Sequence, residues 1–161
     1  VCSPSGMAGS IGVYTVHDDL SAAVQPLVHF FEHLQPQDLP RLRTLYASDA
    51  RFKDPFNEVQ GIAAIERIFA HMFESLDSPH FVVTERIVQG HQCFLVWDFR
   101  FRFKRFDMQS WQTVRGTTHL VFNAQGLATL HRDYWDAAEE LYEKLPMVGG
   151  LMRWLKRRAR S

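Results

Sequence analysis

The sequence predicts an α+β fold in which helices come first along the chain and an antiparallel sheet follows. Apolar residues recur at helical spacing as far as Leu76, whereas from His80 onward apolar and polar residues alternate in runs separated by short turns. Strands joined by short turns favour a meandering antiparallel sheet. Because the two kinds of segment are separate along the chain, we expect the helices to pack on one face of that sheet.

Three helices are predicted in the first half, over residues 18–34, 39–46 and 62–76. The first ends before Pro36 and the third ends before Pro79, since the residue before a proline disfavours helical geometry. Asp38 is a suitable N-cap for the second helix. Between the second and third helices, we expect Ala50–Lys53 to be extended and Asn57–Gly61 to form a loop.

Four strands are predicted in the second half: His80–Gln89, Cys93–Lys104, Trp111–Phe122 and Leu127–Trp135. The second of them alternates most clearly, and its apolar face consists of Leu95, Trp97, Phe99, Phe101 and Phe103. Its other face is mostly charged, as expected for a sheet with one face in the core and one in solvent. A short helix over Ala137–Leu145 follows the last strand and ends at Pro146.

Composition limits the class of protein. A chain of 161 residues is the size of one domain, and 13 phenylalanines suggest either a core with a large apolar cavity or a thick interface between sheet and helices. The formal net charge of zero argues against a nucleic-acid-binding protein. The two cysteines, Cys2 and Cys93, form neither a disulfide framework nor a zinc pattern. Without a glycine-rich phosphate loop, we expect no nucleotide cofactor.

The two ends of the chain are expected to lie outside the domain, which we place at residues 18–136. Residues 1–17 are small and polar and predict a flexible segment, in which Met7 is a candidate native start after six extra residues. No apolar run is long enough to span a membrane and none resembles a signal peptide, so a cytoplasmic protein is expected.

Residues 137–161 form a C-terminal tail that is basic toward its end. Leu151–Arg160 combines apolar residues, including Trp154, with a run of arginine and lysine, which indicates an amphipathic helix. Three interpretations are open: peripheral contact with an anionic membrane surface, closure over the pocket mouth, or packing against the acidic remainder of the protein's own dimer.

Asp54 is the first candidate functional residue. It precedes Pro55 and lies between Phe52 and Phe56, so its carboxyl group is held on a non-helical segment among aromatic side chains. Burial disfavours the charged form of a carboxyl group, which is one way to obtain a general acid or base that works near neutral pH. The alternative is that Asp54 caps a turn, which is a common role for aspartate.

Two segments, Asp38–Phe56 and Gly126–Asp136, carry a resemblance to a known family. With the order of helices and strands around them, the chain resembles the NTF2-like superfamily, which includes ketosteroid isomerases and SnoaL-like polyketide cyclases. The resemblance covers residues 20–136. It implies a cone-shaped fold, in which a strongly bent antiparallel sheet wraps around the helices and encloses an apolar pocket, and homodimers that form through the outer face of the sheet.

The resemblance also implies roles for single residues. Asp54 occupies the position of the catalytic aspartate of ketosteroid isomerases, which moves a proton between carbons next to a carbonyl group. The isomerases' two hydrogen-bond donors to the enolate oxygen match Phe30 and Thr118 here. Because Phe30 has no donor and Thr118 is a weaker one, the resemblance argues against ketosteroid isomerase chemistry.

The last strand provides a second candidate set. His131, Asp133 and Trp135 share one face by alternation, and Trp135 matches a pocket-lining position of the isomerases. Asp133 resembles the acid/base aspartate of SnoaL-like cyclases, whose partner histidine matches His119. A register counted from Gly126 directs His119 inward, whereas one counted from Phe122 directs Thr118 inward, and both remain open. His131 and Asp133 are either catalytic or a buried hydrogen-bonded pair.

Other residues are expected to form the pocket. Trp97 and Phe56 are candidate walls, while Tyr46 either donates a hydrogen bond into the pocket or covers its rim, and we favour the rim. His29 and His33 lie four residues apart on the first helix, but two ligands do not make a metal site, and no metal is expected.

Two functions are consistent with these residues. The first is binding of a small hydrophobic molecule, bearing a carbonyl group or a ring, with cofactor-independent isomerisation, cyclisation or dehydration by Asp54, Asp133 and His131. The second is a non-catalytic module that binds a ligand or lipid, or a dimeric interaction module, with possible membrane-surface contact through Leu151–Arg160.

Overall fold

The computed structural model describes residues 17–105 and 108–142. The helices are α1 (His17–Glu32), a 3-10 helix (Pro36–Thr44), α2 (Ile62–Ser75) and α3 (Ala137–Glu140). The strands are β1 (Tyr46–Lys53), β2 (Glu58–Gln60), β3 (Leu76–Gln89), β4 (Gln92–Phe103), β5 (Gln112–Phe122) and β6 (Ala128–Tyr134). The predictions for the N-terminal segment, for the end of the last helix and for Leu151–Arg160 lie outside the described residues.

The six strands form one sheet in the order β2-β1-β6-β5-β4-β3. Strands β3 to β6 make an antiparallel meander, which confirms the predicted α+β class. The sheet is mixed, however, because β1 pairs with β6 in parallel. The reason is the long connection between them: α2 and the strands β2 to β5 lie between β1 and β6 along the chain, and such a crossover lets the chain return in the same direction.

Several element boundaries differ from the predictions. Strand β1 begins at Tyr46, earlier than the predicted Ala50, and the second helix is a 3-10 helix that ends at Thr44. The predicted loop after Pro55 contains β2, which pairs antiparallel with the end of β1. Strand β3 follows α2 directly, so Pro79 lies inside a strand, where the pairing with β4 is irregular. Prolines are tolerated at such irregularities because they cannot donate to the ladder.

Helix α1 packs against the concave face of the sheet. Its buried side chains recur at helical spacing and include Val24, Leu27, Val28 and Phe31. At the end of the helix, the backbone N–H of Val83 in β3 donates to the Glu32 carboxylate at 3.0 Å. These contacts hold α1 inside the curve of the sheet, where the apolar core lies.

The two faces of the sheet differ in polarity. On β4, Leu95, Trp97 and Phe101 are buried, and Phe99 and Phe103 pack against the core, so the five apolar residues share a face as predicted. On the opposite face, the Asp98 carboxylate accepts from Arg100 and lies near Arg115. Within the described part of the chain, none of the helices has the length and apolar character that crossing a membrane requires.

Candidate functional site

The concave side of the sheet encloses a cavity of about 310 Å³, which we call the main cavity. Nine aromatic residues line it: Phe52, Phe56, Phe69, Phe81, Trp97, Phe99, Phe101, Phe103 and Trp135. A second space of about 30 Å³, the inner cavity, lies against α1 and shares four lining residues with the first: Phe69, Phe81, Trp97 and Asp133. The Asp133 carboxyl group therefore borders both spaces.

Asp133 is held by two donors on the inner face of the sheet. Its Oδ1 accepts a hydrogen bond from the Thr118 hydroxyl at 2.5 Å and lies 3.0 Å from Nε2 of His131. No hydrogen bond from the described residues reaches its Oδ2. The side chain of Asp133 is 16% exposed, so one carboxylate oxygen is fixed and the other is available to a molecule in the cavity.

Tyr46 contacts the ring nitrogen of His131 that does not face Asp133. Its hydroxyl lies 2.6 Å from His131 Nδ1, and the residue is 1% exposed, so it is not at the rim where we expected it. Burial, together with the nearby Asp133 charge, raises the pKa of Tyr46 well above its usual value, which keeps the phenol protonated. Because the Asp133 carboxylate can only accept, the proton on Nε2 of His131 points to it, and Nδ1 of the neutral imidazole then accepts from the phenol.

Thr118 receives its own hydrogen bond from Trp97. The indole Nε1–H donates to Thr118 Oγ1 at 2.8 Å, and both residues are buried. Because the threonine oxygen accepts from Trp97, its proton is free to go to Asp133. Asp133 Oδ1 is thus reached by two hydrogen-bond chains, one from Trp97 through Thr118 and the other from Tyr46 through His131.

Gly116 makes this arrangement possible. It pairs with Trp97 across β4 and β5, and a Cβ atom at position 116 would lie 2.4 Å from the nearest atom of the Trp97 ring. The indole therefore lies flat over the glycine, which brings its N–H to Thr118. A glycine in a strand interior is a known signal of close approach, and it would have drawn attention to this position in the sequence.

The structure decides between the two registers left open for β5. Thr118 is 5% exposed and lies on the inner face, opposite Asp133. His119 lies on the opposite face, where it hydrogen-bonds Gln92 at 2.9 Å and stacks on Phe94. Burial, with the nearby Arg132 charge, lowers the pKa of His119. His119 is therefore not the partner of Asp133; that position belongs to His131.

Asp54 lines the rim of the main cavity, but its carboxylate is engaged in a turn. Oδ1 accepts from the backbone N–H groups of Phe56 and Asn57 at 2.7 and 2.6 Å, and the Asn57 amide nitrogen lies 2.9 Å from Oδ2. Pro55 is the second residue of this turn, a position that suits the fixed backbone angle of proline. The arrangement is the turn-capping alternative, in which both oxygens already have donors.

The structure places Phe31 at the inner cavity, whereas the resemblance had implied Phe30. Phe30 is buried but lines neither cavity, and Arg41 lies over its ring. Phe31, the next residue, lines the inner cavity with its ring 5.8 Å from that of His131. Adjacent residues on a helix point in different directions, so a shift of one position along the stripe changes which side chain meets the site.

The mouth of the main cavity is aromatic. Phe56 is 53% exposed, and its ring lies 5.4 Å from that of Trp135 and 6.2 Å from that of Tyr142. Leu141, just after α3, also lines the cavity. Trp135 is thus placed at the cavity as the alternation of β6 predicted, and its indole N–H has no hydrogen bond to any described residue.

No group of three potential metal ligands occurs among residues 17–105 and 108–142. The rings of His29 and His33 lie 4.3 Å apart, and His33 Nδ1 lies 2.9 Å from the His29 carbonyl oxygen. This pair is accounted for by local helix contacts.

Comparison with known proteins identifies the family. The SnoaL-like domain family matches residues 27–131. The chain belongs to this family. A comparison with curated proteins finds no match.

Solved structures are similar to this SnoaL-like chain in fold. A SnoaL-like polyketide cyclase, so named, from Jannaschia sp. has 16% identity and a TM-score of 0.65, over 83% of this chain and 94% of that one. A Catenulispora acidiphila protein with a ketosteroid isomerase-like fold, in complex with trimethylamine, has 17% identity and a TM-score of 0.63, over 74% and 88%. An M. tuberculosis LEH-like epoxide hydrolase has 11% identity and a TM-score of 0.62, over 86% and 93%. These likenesses establish the NTF2-like fold.

Proposed function

We propose that this SnoaL-like protein binds a small hydrophobic molecule, bearing a ring or a carbonyl group, in the main cavity and moves a proton on it without a cofactor. The observation that carries the proposal is the Asp133 carboxylate, which borders an aromatic cavity with one oxygen held by donors and the other unengaged by the described residues. A positioned carboxylate in a dry cleft is a common general acid or base.

In the proposed reaction, Asp133 Oδ2 takes a proton from a carbon of the substrate, and the electron pair of that C–H bond enters the conjugated system of the substrate. The same oxygen then returns the proton to another atom, which completes an isomerisation, or to a leaving hydroxyl, which completes a dehydration. His131 Nε2–H and the Thr118 hydroxyl keep Oδ1 in place throughout. Trp135 offers an indole N–H for a substrate oxygen that gains negative charge.

The isomerase-type mechanism centred on Asp54 is less favoured. Both oxygens of Asp54 accept hydrogen bonds from the turn that it closes, and donors to a carboxylate stabilise its charged form and weaken it as a base. We therefore assign Asp54 to the shape of the cavity mouth and the proton transfer to Asp133. Neighbours named as a polyketide cyclase and an epoxide hydrolase are consistent with acid/base chemistry in this fold.

A second candidate function is non-catalytic binding of a ligand. The observation that favours it is that the deepest polar groups, from Trp97 through Thr118 and His131 to Tyr46, are satisfied by one another. Such a network also occurs where polar groups only fix the packing of a sheet.

Deuterium exchange into 2-tetralone, a cyclic ketone fused to a benzene ring with acidic protons next to its carbonyl group, separates the two candidates. In D₂O the full-length protein should accelerate the loss of these proton NMR signals, and Asp133→Asn should slow that loss at least about 100-fold. Asp49→Asn removes the same charge from an exposed position on β1 and is the matched control. Binding of the ketone without accelerated exchange would support the non-catalytic function, and equal exchange by Asp133→Asn would contradict the role of Asp133.

A further inference from the structure

The charges around the main cavity are one-sided. Two carboxylates line it, Asp54 at the rim and Asp133 at depth, and no lysine or arginine lines either the main or the inner cavity within the described residues. The histidine at the mouth, His71, is largely exposed and lies 3.4 Å from the Glu74 carboxylate. A cleft lined by one sign of charge raises the local concentration of ions of the opposite sign, and here those are cations.

Asp133 has no lysine or arginine partner among the described residues. Its neighbours on Oδ1 are the Thr118 hydroxyl and Nε2 of His131, whose Nδ1 lies 2.6 Å from the Tyr46 hydroxyl. A partly buried carboxylate is stabilised much further by a positive charge than by neutral donors alone. The unengaged oxygen faces the space where such a charge would come.

The walls of the cavity favour the same kind of ligand. Phe81 lines both cavities, stacks on Phe99 at 4.4 Å and meets Trp97 edge-on at 5.4 Å. The faces of aromatic rings carry a negative quadrupole, and they attract ammonium groups most strongly where water is excluded. An aromatic enclosure that also contains a carboxylate thus binds organic cations by two mechanisms at once.

We infer that the main cavity selects a small organic cation, an apolar amine or quaternary ammonium compound, with its nitrogen next to Asp133 and its apolar part against the aromatic walls. This inference rests on the proposed function, since it names the class of molecule that the same cavity takes. It excludes carboxylate- or phosphate-bearing ligands, which the two carboxylates repel. A C–H bond next to a cationic nitrogen is more acidic than one in a neutral chain, so the contact that holds the cation also brings an acidic proton to Asp133.

The test compares three probes of similar size on the full-length protein. They are benzyltrimethylammonium, its neutral carbon isostere neopentylbenzene, and phenylacetate, and dissociation constants are measured by NMR titration at pH 7. We expect the cation to bind at least about tenfold more tightly than the neutral isostere, and phenylacetate to bind most weakly. Equal or tighter binding of neopentylbenzene would overturn the inference and leave the proposed hydrophobic cavity intact. Failure of all three probes to bind would also overturn it.

Two variants identify the groups responsible. Asp133→Asn keeps the shape of the side chain and should abolish the preference for the cation, whereas Asp49→Asn should retain it. Phe99→Leu removes one ring of the wall without touching the hydrogen-bond network, and it should weaken binding of the cation more than binding of neopentylbenzene. A preference that survives unchanged in both Asp133→Asn and Phe99→Leu would show that neither the carboxylate nor the rings cause it, and the inference would be wrong.

Discussion

Asp54 and Asp133 border the same cavity, yet their carboxylates differ in how many oxygens accept hydrogen bonds from the described residues. Asp54 lies in a turn at the rim, where the backbone N–H groups of Phe56 and Asn57 and the side-chain amide of Asn57 engage both of its oxygens. Asp133 lies on a strand in the interior, where side chains from distant parts of the chain engage only one oxygen. The comparison shows that a carboxylate beside a cavity is a candidate base only if the fold leaves part of it unengaged.

The difference arises from local backbone structure. At Asp54 the chain reverses, so amide groups that follow in sequence converge on the side chain that precedes them. In β6 the amides are paired with neighbouring strands, and alternation directs the side chain of Asp133 away from them. Only residues from other elements can then reach Asp133.

The largest expected difference between the two residues is in proton transfer. Asp133→Asn should lower the rate of deuterium exchange into 2-tetralone at least about 100-fold, because amide oxygens are very weak bases. Asp54→Asn should lower that rate by less than about tenfold, since the turn keeps an acceptor and Asp54 takes no part in the reaction. Rates are compared at equal concentrations of folded protein. A larger loss in Asp54→Asn than in Asp133→Asn would reverse the assignment.

Gly116 should be required for the position of the Trp97 ring, whose N–H donates to Thr118 beside Asp133. Gly116→Ala places a methyl group 2.4 Å from the Trp97 ring, so the indole must move away from Thr118, and we expect a loss of about 2–3 kcal/mol in the free energy of unfolding. Urea denaturation measures this loss, and the near-ultraviolet circular dichroism of the tryptophan should change with it.

The control for this substitution is the Trp97→Phe variant, in which position 97 carries a smaller ring. In that background Gly116→Ala should cost less, because the ring atoms that meet the new methyl group are gone. Equal costs in the two backgrounds would mean that Trp97 is not the group that requires a glycine.

Tyr46→Phe should destabilise the protein by about 1–3 kcal/mol, because it leaves the buried Nδ1 of His131 without a donor. The effect should depend on pH. The pKa of Tyr46 is higher in the folded protein than in the unfolded chain, so the neutral phenol stabilises the fold fully below about pH 10, and this contribution is lost as the pH rises further.

Measurements of unfolding between pH 8 and pH 11 test that sign. The wild-type protein should lose stability above about pH 10 more steeply than Tyr46→Phe does. Tyr134→Phe, which changes a tyrosine that is 47% exposed on β6, should behave like the wild type. Parallel curves for wild type and Tyr46→Phe would argue against a buried, protonated Tyr46.

The smallest expected effect belongs to the turn at the rim. Asp54→Ala removes the acceptor of the amides of Phe56 and Asn57 and should cost about 1 kcal/mol, whereas Asp54→Asn keeps one acceptor oxygen and should cost less. Thermal unfolding of the two variants measures the difference. If alanine and asparagine were equivalent here, the hydrogen bonds of the turn would contribute nothing to stability.

Much of the site could be predicted from the alternation of side chains along each strand, and the rest depended on how the strands pair with one another. Alternation in the last strand correctly placed His131 and Asp133 on one face. The sequence could not decide whether Thr118 or His119 faces the pocket, because the pairing of β5 with β6 is irregular. Phe122 is opposite Ala128, but Val121 is opposite Leu130, so Thr129 is an extra residue in β6. A count of residues from either end of the hairpin cannot show where such a residue is inserted.

Tyr46 illustrates a second reason. The sequence around it is compatible with the end of a helix, and we placed it at the rim of the pocket. In the structure it begins β1, next to β6, and the parallel pairing of these strands carries it to the buried side of His131. This contact joins residues 85 positions apart, and local propensity contains no information about contacts at that distance.

Three features of this protein follow from its amino-acid sequence without any tertiary contact: the α+β class, the kind of element in most segments, and the face on which the last strand presents its polar residues. These follow from the spacing of apolar side chains, because burial of one face is the strongest local requirement. Whether Asp54 or Asp133 has a carboxylate oxygen without a hydrogen bond from the described residues depends on tertiary contacts. That outcome depends on the register of β5, on the flat contact between Trp97 and Gly116, and on the crossover that brings Tyr46 to His131. All three depend on how one strand is placed against another, and that placement is set only when the whole sheet has formed.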